Sequence, residues 1–378
     1  MRVLYYSPVI NAPSGGGTHA RGLAAGFAAC GHEVLTIPEI ASADGVPNEA
    51  ASSPSRLPDW MKAYARELRG RHRKQRDASA VLERARGFAP DVLVVRRPSY
   101  DLVADVLETK LGCPVVVETN AVYHLESSAW GERLLRAEIA REIAHFRRAD
   151  VVACISDEVA ADVASAAGIS DTIRVCSNGV DADAFSPDGA SDDATAVWAG
   201  VCDGVIGYCG GVSPLHDLAT IAAAADEIAR RRPQTGFLFV GADPAELEPL
   251  LSDAVRASTR ITGPVPHSAV ASYLHSADVC WAAFPYDYPS PLKVYEYLAL
   301  ARPVVIAGHG LPERIVAESE AGVSVARADA HAMADAAVGL LDDSVSAHAL
   351  GARGRNWILS HATWQKVAEA MLAGVGPR

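Results

Sequence analysis

Lys293 and Glu296 stand three residues apart in the stretch Ser290-Pro291-Leu292-Lys293-Val294-Tyr295-Glu296. Ser290 is a good N-cap. Pro291 suits a first helical position, because its φ is already helical and its missing N–H would be unpaired there. The spacing therefore predicts a short helix beginning at Ser290. Its first-turn amides, on Leu292 and Lys293, have no acceptor within the helix; with the helix dipole and the Lys293 ammonium they form a site for a phosphate. Glu296 lies one turn on, on the same face, near where the group attached to that anion would dock. The plainer reading of the same residues is a capped surface helix carrying a solvated ion pair.

Further polar residues fall where strands end. Val3 to Tyr6 reads as a strand, Ser7 to Gly17 as a glycine-rich loop, Thr18 to Cys30 as a helix and Glu33 to Ile37 as a second strand, a βαβ opening. Within it, Ser14-Gly15-Gly16-Gly17-Thr18-His19 lets backbone approach a ligand at a helix N-terminus. It lacks the GxGxxG spacing, and Glu39 is the nearest acidic residue past the second strand, so a dinucleotide site is weakly supported. Asp91 to Val95 ends in Arg96 and Arg97, and Val115 to Val117 in Glu118, Thr119 and Asn120. Carboxyl ends of strands are where open α/β sheets gather ligands. From 205 the opening pattern returns: strand Val205 to Tyr208, glycines Gly210 and Gly211, and a helix Leu218 to Arg232. Further strands follow near Phe237 to Val240, Arg260 to Thr262, Val279 to Ala282 and Val304 to Ala307. Asp181-Ala182-Asp183 has DxD spacing but falls in a linker rather than after a core strand, so it is set aside as a metal site.

Composition limits the partners. At 378 residues the chain suits two domains of about 150 to 200 residues each. A formal charge of −12 argues against binding nucleic acid, whose phosphates call for a basic face. Seven cysteines, odd in number and without CxxC spacing, fit reduced thiols and a cytoplasmic location. Ser7 and Pro8 interrupt the N-terminal apolar run, and no apolar stretch is long enough to span a membrane. Residues 41 to 58 read as a mobile loop. Beyond it Arg66, Arg69, Arg71, Arg73, Lys74 and Arg76 fall in a helix-compatible stretch beginning near Asp59. That basic cluster is a solvated helix face, or else a dock for an anionic acceptor or a membrane surface, with Trp60 and Met61 beside it.

The order Ser-Pro-Leu-Lys, Glu three residues on, then Ala301-Arg302-Pro303-Val304-Val305 resembles the sugar-nucleotide segment of glycosyltransferase family 4. Ser177-Asn178-Gly179-Val180-Asp181 is similar to the segment with which that family leaves its first domain. Arg96-Arg97-Pro98-Ser99-Tyr100 and Val115 to Glu126 resemble a subgroup pattern, and Trp357 to Ala373 resembles the family's closing helix. The resemblance implies a GT-B fold of class α/β, two Rossmann-like doubly wound domains facing across a cleft. It places the acceptor domain at 1–185, closed by a helix at 358–378, and the donor domain at 186–357.

By the same resemblance the function is transfer of a sugar, with retention of configuration, from a nucleotide-diphosphate sugar to an acceptor hydroxyl, without metal or other cofactor. Lys293, Glu296, Glu118, Asn120 and His216 are the implied catalytic group, Lys293 and His216 sharing the load of the leaving diphosphate. Gly16, Gly17, Gly210, Gly211, Val265, Ser290, Pro291, Leu292, Gly310 and Leu311 line the implied donor site; His19, Arg96 and Arg97 face the acceptor. Many members carry Arg and Lys where this chain has Gly211 and His216, and a second Glu where it has Tyr288. Two rivals are a catalytically silent partner subunit, suggested by those replacements, and a sugar-nucleotide 2-epimerase on the same fold.

Overall fold

Short runs of Val, Leu and Ile separated by helices are the pattern of parallel strands buried on both faces. The computed structural model describes residues 1–41, 58–126, 135–189, 202–287 and 291–376, and among them such runs form two sheets. The first contains β1 (Arg2–Tyr6), β2 (Glu33–Ile37), β3 (Val92–Val95), β4 (Val115–Thr119), β5 (Val151–Cys154) and β6 (Ile173–Val175). Their order is β2-β1-β3-β4-β5-β6 and every pairing is parallel. The second contains β7 (Gly204–Cys209), β8 (Thr235–Val240), β9 (Thr259–Ile261), β10 (Val279–Ala283), β11 (Val304–Ala307) and β12 (Gly322–Val325), in the order β12-β11-β10-β7-β8-β9, again all parallel. In each sheet the chain turns back beside its first strand, so a switch point opens between β1 and β3 and another between β7 and β10. The glycine stretches at 15–17 and 210–211 follow β1 and β7 and so fall at those points.

Sequence patterning locates ten of these strands to within a residue or two, a run at Val151 to Ile155 among them, and does not mark β6. β12 went unread because Gly-Val-Ser-Val is a half-buried edge strand with little apolar signal. The first helix is a correction: it spans Gly15–Ala29 and so begins inside the expected glycine loop. Ser14 caps it, accepting from the Gly17 amide, and a Cβ on Gly17 would lie 2.0 Å from the Ala12 carbonyl oxygen. Gly16 and Gly17 therefore occupy its first turn. The charged run at 131–148 suggests a helix from sequence; Arg136–Arg148 is helical and 131–134 lies outside the described residues, as does nearly all of the 41–58 segment.

The chain divides into two compact units, Met1–Gly179 with Trp364–Arg378, and Val180–Thr363. Both crossings differ from the boundaries at 185 and 358 read from sequence, and packing explains the shift. Val180, Ala182 and Phe185 belong to the second unit's core together with Ile358 and Ala362. Arg355 fixes them by donating to the carbonyls of Ala182 and Phe185 at 2.8 and 3.0 Å.

In the first unit the closing helix, Trp364–Leu372, lies against Gly15–Ala29. A Cβ at Gly22 would meet the Trp364 indole at 2.2 Å, and one at Gly26 the Trp364 carbonyl oxygen at 2.2 Å. Close approach of these helices thus depends on the absence of side chains. Gly26→Ala is expected to lower the unfolding free energy of this unit by about 1–3 kcal/mol through overpacking, despite alanine's better helix propensity. A denaturant titration followed by hydrogen exchange of the helix amides would show it; an unchanged midpoint would mean that the two helices are not in this contact.

Candidate active site

Lys293 comes from the helix Leu292–Ala299, which follows β10. Pro291 stands at its N-cap with φ −85° and ψ 97°, so the helix starts at Leu292 rather than Ser290. Pro291 thus precedes the first turn instead of opening it, because its ψ is extended. Ser290 and Tyr288 lie outside the described residues. Leu292 and Lys293 keep their place in the first turn, where amides precede any i−4 carbonyl.

The Lys293 side chain does not reach into solvent. It is 8% exposed and runs beneath the turn after β7, where a Cβ on Gly210, whose φ is +134°, would stand 2.8 Å from its Nζ. The ammonium donates to the Tyr208 hydroxyl at 3.0 Å and sits 4.2 Å from that ring's centroid. Burial pulls its pKa down to about 7, although Cys209 and Glu296 act to raise it. A lysine held this way is a cation short of partners, and a diphosphate laid over Gly210 and Gly211 would supply the missing charge.

His216 lies next to it and behaves differently from the expected weak cation. Its Nδ1 donates to the Gly211 carbonyl oxygen at 3.1 Å. Burial, and secondarily the Lys293 charge, push its pKa down to about 3, the Gly211 bond offsetting only part. His216 is therefore neutral at physiological pH. It braces the glycine turn and offers Nε2 as an acceptor, leaving Lys293 as the cation beside Gly210 among the described residues.

Glu296 is buried, and its Oε1 lies 2.7 Å from His267 Nε2. His267 opens the helix His267–Leu274, immediately after the turn that contains Val265. Its ring also packs against Phe185 at 5.4 Å. Sequence reading missed His267; the signal available was a histidine directly after the Gly263-Pro264-Val265-Pro266 turn. Gly310, φ +75°, passes so close to Asp287 that a Cβ would meet its carbonyl oxygen at 2.1 Å, and it leads into the helix Leu311–Ser319. Pro312 has no amide to offer, so at that helix start the anion donors are the N–H groups of Gly310 and Leu311. The second unit thus gathers Gly210, Gly211, His216, Lys293 and Glu296 at the carboxyl ends of β7 and β10, with Gly310 and Leu311 beyond adjacent β11.

In the first unit a second cluster forms around Glu118, at the end of β4. One of its oxygens takes Arg96 Nη1 and lies 2.7 Å from His19 Nε2; the other accepts from Tyr5 Oη at 2.7 Å. His19 Nδ1 contacts Asn178 Oδ1, and the imidazole meets the Trp364 ring edge-on at 5.0 Å. Burial would raise the Glu118 pKa, but the charges of Arg96 and His19 and the hydrogen bonds bring it to about 2. Glu118, placed by the resemblance in the catalytic group, is consequently a buried anion whose two oxygens are both taken by protein donors. It holds His19 and Arg96 in place. Arg96 Nη2 would lie 3.7 Å from a Cβ on Gly16, at the N-terminus of the first helix. Tyr5 and Asn178 were not singled out in sequence, although Asn178 sits within the Asn-Gly-Val-Asp motif.

Arg97 is corrected as well. Its guanidinium is buried, Nη2 lying 2.9 Å from Glu138 Oε1, and it belongs to a ladder in which Arg141 joins Glu138 to Glu67. Its side chain is thus turned into the unit, and Arg141 carries the ladder on to Glu67 of the helix Asp59–Phe88. Asn120 follows β4, and its Oδ1 is enclosed without a hydrogen-bond partner among the described residues. Asp181 accepts from the amides of Asp183 and Ala184, at 3.1 and 3.0 Å, so the DxD carboxylate closes a turn.

Comparison with known proteins fits both halves. A family model described as glycosyltransferase family 4 matches residues 13–184, and one described as glycosyl transferases group 1 matches residues 203–343. The chain belongs to glycosyltransferase family 4. It is 30% identical, over 45% of its own length and 43% of the relative, to a teichuronic acid biosynthesis glycosyltransferase of Bacillus subtilis. It is 29% identical, over 57% of its length and 59% of the relative, to a GDP-mannose-dependent phosphatidylinositol monomannoside mannosyltransferase of Mycolicibacterium smegmatis. The match thus spans about half the length of each curated relative. Among solved structures, Thermosynechococcus elongatus sucrose-phosphate synthase superposes with a TM-score of 0.73 at 21% identity, covering 98% of this chain and 97% of that one. Anabaena HepE, in complex with UDP and glucose, gives 0.71 at 14% identity with the same coverage. Both share the GT-B fold, and the family's fold class holds here.

Proposed function

We propose that this chain transfers a sugar from a nucleotide-diphosphate sugar to an acceptor hydroxyl with retention of anomeric configuration. Burial of Lys293 beneath Gly210 carries the reading, because a lysine whose pKa burial holds near 7 at a strand-end glycine turn takes up a proton from solvent, and so its full charge, when an anionic diphosphate arrives. Stabilising the charge on the leaving diphosphate falls to Lys293, the amides of Leu292 and Lys293, and those of the glycine turn. Glu296, steadied by His267, binds hydroxyls of the donor. His216 keeps the turn in place. In the first unit Arg96 and His19, held by Glu118, are assigned to the acceptor. No metal enters the scheme, and no protein base is assigned, a leaving phosphate oxygen taking the acceptor proton. Seven cysteines, odd in number and without CxxC spacing, suit work in a reducing compartment.

Thermal shift with UDP, GDP, dTDP and ADP tests the donor assignment. A ligand at a hundred times its dissociation constant adds about 2.7 kcal/mol, equivalent to about 5–10 °C for a unit of this size. One or two of the four are expected to give that shift, and Asp181→Ala to keep it. No shift with any would favour the silent partner, a reading supported by the neutral His216. The anomeric configuration of the product, read by NMR, decides retention.

A further inference from the structure

The turns that close β10, β11 and β12 stand side by side at the carboxyl ends of the second sheet. The Phe284 amide, after β10, donates to the Ala307 carbonyl of β11 at 2.9 Å, and the Gly308 amide, after β11, to the Val325 carbonyl of β12 at 3.2 Å. Side chains of the two outer turns meet across the middle one: Asp287, after β10, accepts through Oδ1 from Nη2 of Arg327, after β12. Gly310 allows this. With a side chain there the Asp287 carbonyl would be displaced, so the backbone of Asp287 rests directly on the start of the helix Leu311–Ser319. The Arg327 side chain is 35% exposed and that of Asp287 58%, so both are open to a ligand. Arg327 Nε is enclosed without an acceptor among the described residues.

We propose that Asp287 and Arg327 read the hydroxyls of the donor sugar and admit an uncharged hexose in preference to a uronate, an assignment that rests on the diphosphate lying at Lys293. A diphosphate over Gly210 has one end toward Glu296 and its partner His267, whose helix follows β9 and the turn containing Val265. The nucleoside takes that end. In the strand order β12-β11-β10-β7-β8-β9 the other end points toward Gly310 and the Asp287–Arg327 pair, which leaves the sugar beside them. A carboxylate only accepts hydrogen bonds and a guanidinium only donates them, so together they take two neighbouring hydroxyls in one orientation, one donating to Asp287 and one accepting from Arg327. Inverting one ring carbon leaves a charged group covered without its partner, which is how a polar site rejects the wrong epimer. The pair is neutral as a whole, and Glu313, in the first turn of the helix beyond Gly310, adds a carboxylate. A uronate would therefore meet like charge.

Calorimetric titration of the whole chain tests it, in the series of the base that the thermal shift selects: UDP, UDP-glucose, UDP-galactose and UDP-glucuronate, or GDP, GDP-mannose, GDP-glucose and GDP-mannuronate. The wild type is expected to separate the two hexose epimers by about tenfold or more, the worth of one hydrogen bond to a charged group, and to bind the uronate more weakly than the preferred hexose. Asp287→Asn and Arg327→Gln should each bring the epimers to within about threefold, while affinity for UDP or GDP alone changes by less than about twofold. Unchanged binding of the free diphosphate shows that the variants are folded and that Lys293 is in place. Epimers bound equally by the wild type, a preference for the uronate, or variants that discriminate like the wild type would overturn the inference. So would variants that lose UDP or GDP as strongly as its sugar, which would move Arg327 to the diphosphate. A lowered melting temperature with discrimination intact would leave the pair a clasp between turns and overturn it equally. No binding of any nucleotide by the wild type would overturn the donor assignment itself, and the inference with it.

Discussion

Lys293→Met is expected to stabilise the unliganded chain and to abolish its response to nucleotide. The two effects have one cause. Taking the ammonium out of water lowers its pKa from 10.5 to about 7, and a shift of that size corresponds to a cost of up to about 5 kcal/mol in the folded state. Methionine has a similar shape and no charge, so it removes this cost, and loss of the 3.0 Å hydrogen bond to Tyr208 returns only about 1 kcal/mol. The melting temperature should rise by several degrees. The sign of the pH dependence follows from the same shift. Below pH 7 the lysine is protonated both folded and unfolded, and the cost is fully present. Between about 7 and 10.5 the unfolded chain keeps a proton that the folded chain has released, so wild-type stability rises with pH and the advantage of methionine shrinks.

Nucleotide affinity should run the other way. A diphosphate prefers the protonated lysine, so wild-type affinity is constant below about pH 7 and falls by up to tenfold per pH unit above it. His216, already neutral above about pH 3, contributes no slope in this range. Calorimetric titration of wild type and Lys293→Met from pH 6 to 9, beside thermal melts, reads both quantities. A destabilised Lys293→Met that still binds UDP or GDP would remove the lysine from the phosphate site.

The division between what the sequence disclosed and what it withheld follows from the range of the interactions. Strand runs, the Gly210-Gly211 turn and the presence of a short helix carrying Lys293 and Glu296 are local patterns, legible because burial on both faces and helix propensity act over a few residues. The starts of that helix and of Gly15–Ala29 nonetheless lie two or three residues from where the sequence places them. The role of Glu118 was not. Its partners are Tyr5, His19 and Arg96, distant in sequence from it and, for the first two, carried by β1 and the helix after it; only the parallel sheet brings them together. The same holds for His216, which reads as a half-charged residue until burial and its distance from Lys293 are known. His267 escaped notice because nothing local marks it; its partner Glu296 is 29 residues away. Arg97 looked like its neighbour Arg96, yet the two adjacent arginines point to different carboxylates, Glu138 and Glu118.

Glu118→Gln should be the most damaging single change in the first unit. It keeps the shape but removes the charge and replaces one acceptor oxygen by an amide donor, so either Tyr5 Oη or the oxygen position shared by Arg96 and His19 must face N–H, and both cations lose their carboxylate. Breaking a buried ion pair by removing one member costs about 3–5 kcal/mol, because the other charge is left without compensation. Hydrogen exchange should register the loss in the amides of β1, β3 and β4, while those of β7 and β8 in the other unit stay protected. Acid supplies the control. The Glu118 carboxyl, at about 2 against an ordinary 4.5, contributes about 3 kcal/mol that is fully present above pH 4.5 and lost as the pH falls toward 2. Glutamine does not titrate, so the gap between wild type and variant should narrow by about that amount between pH 5 and 2. A gap that stays constant over this range would mean that the carboxylate is not the charge holding Arg96 and His19. If the gap closes while Glu118→Gln also loses turnover but keeps its nucleotide affinity, the cluster acts on the reaction through the placement of Arg96 and His19, and Glu118 is a positioning residue.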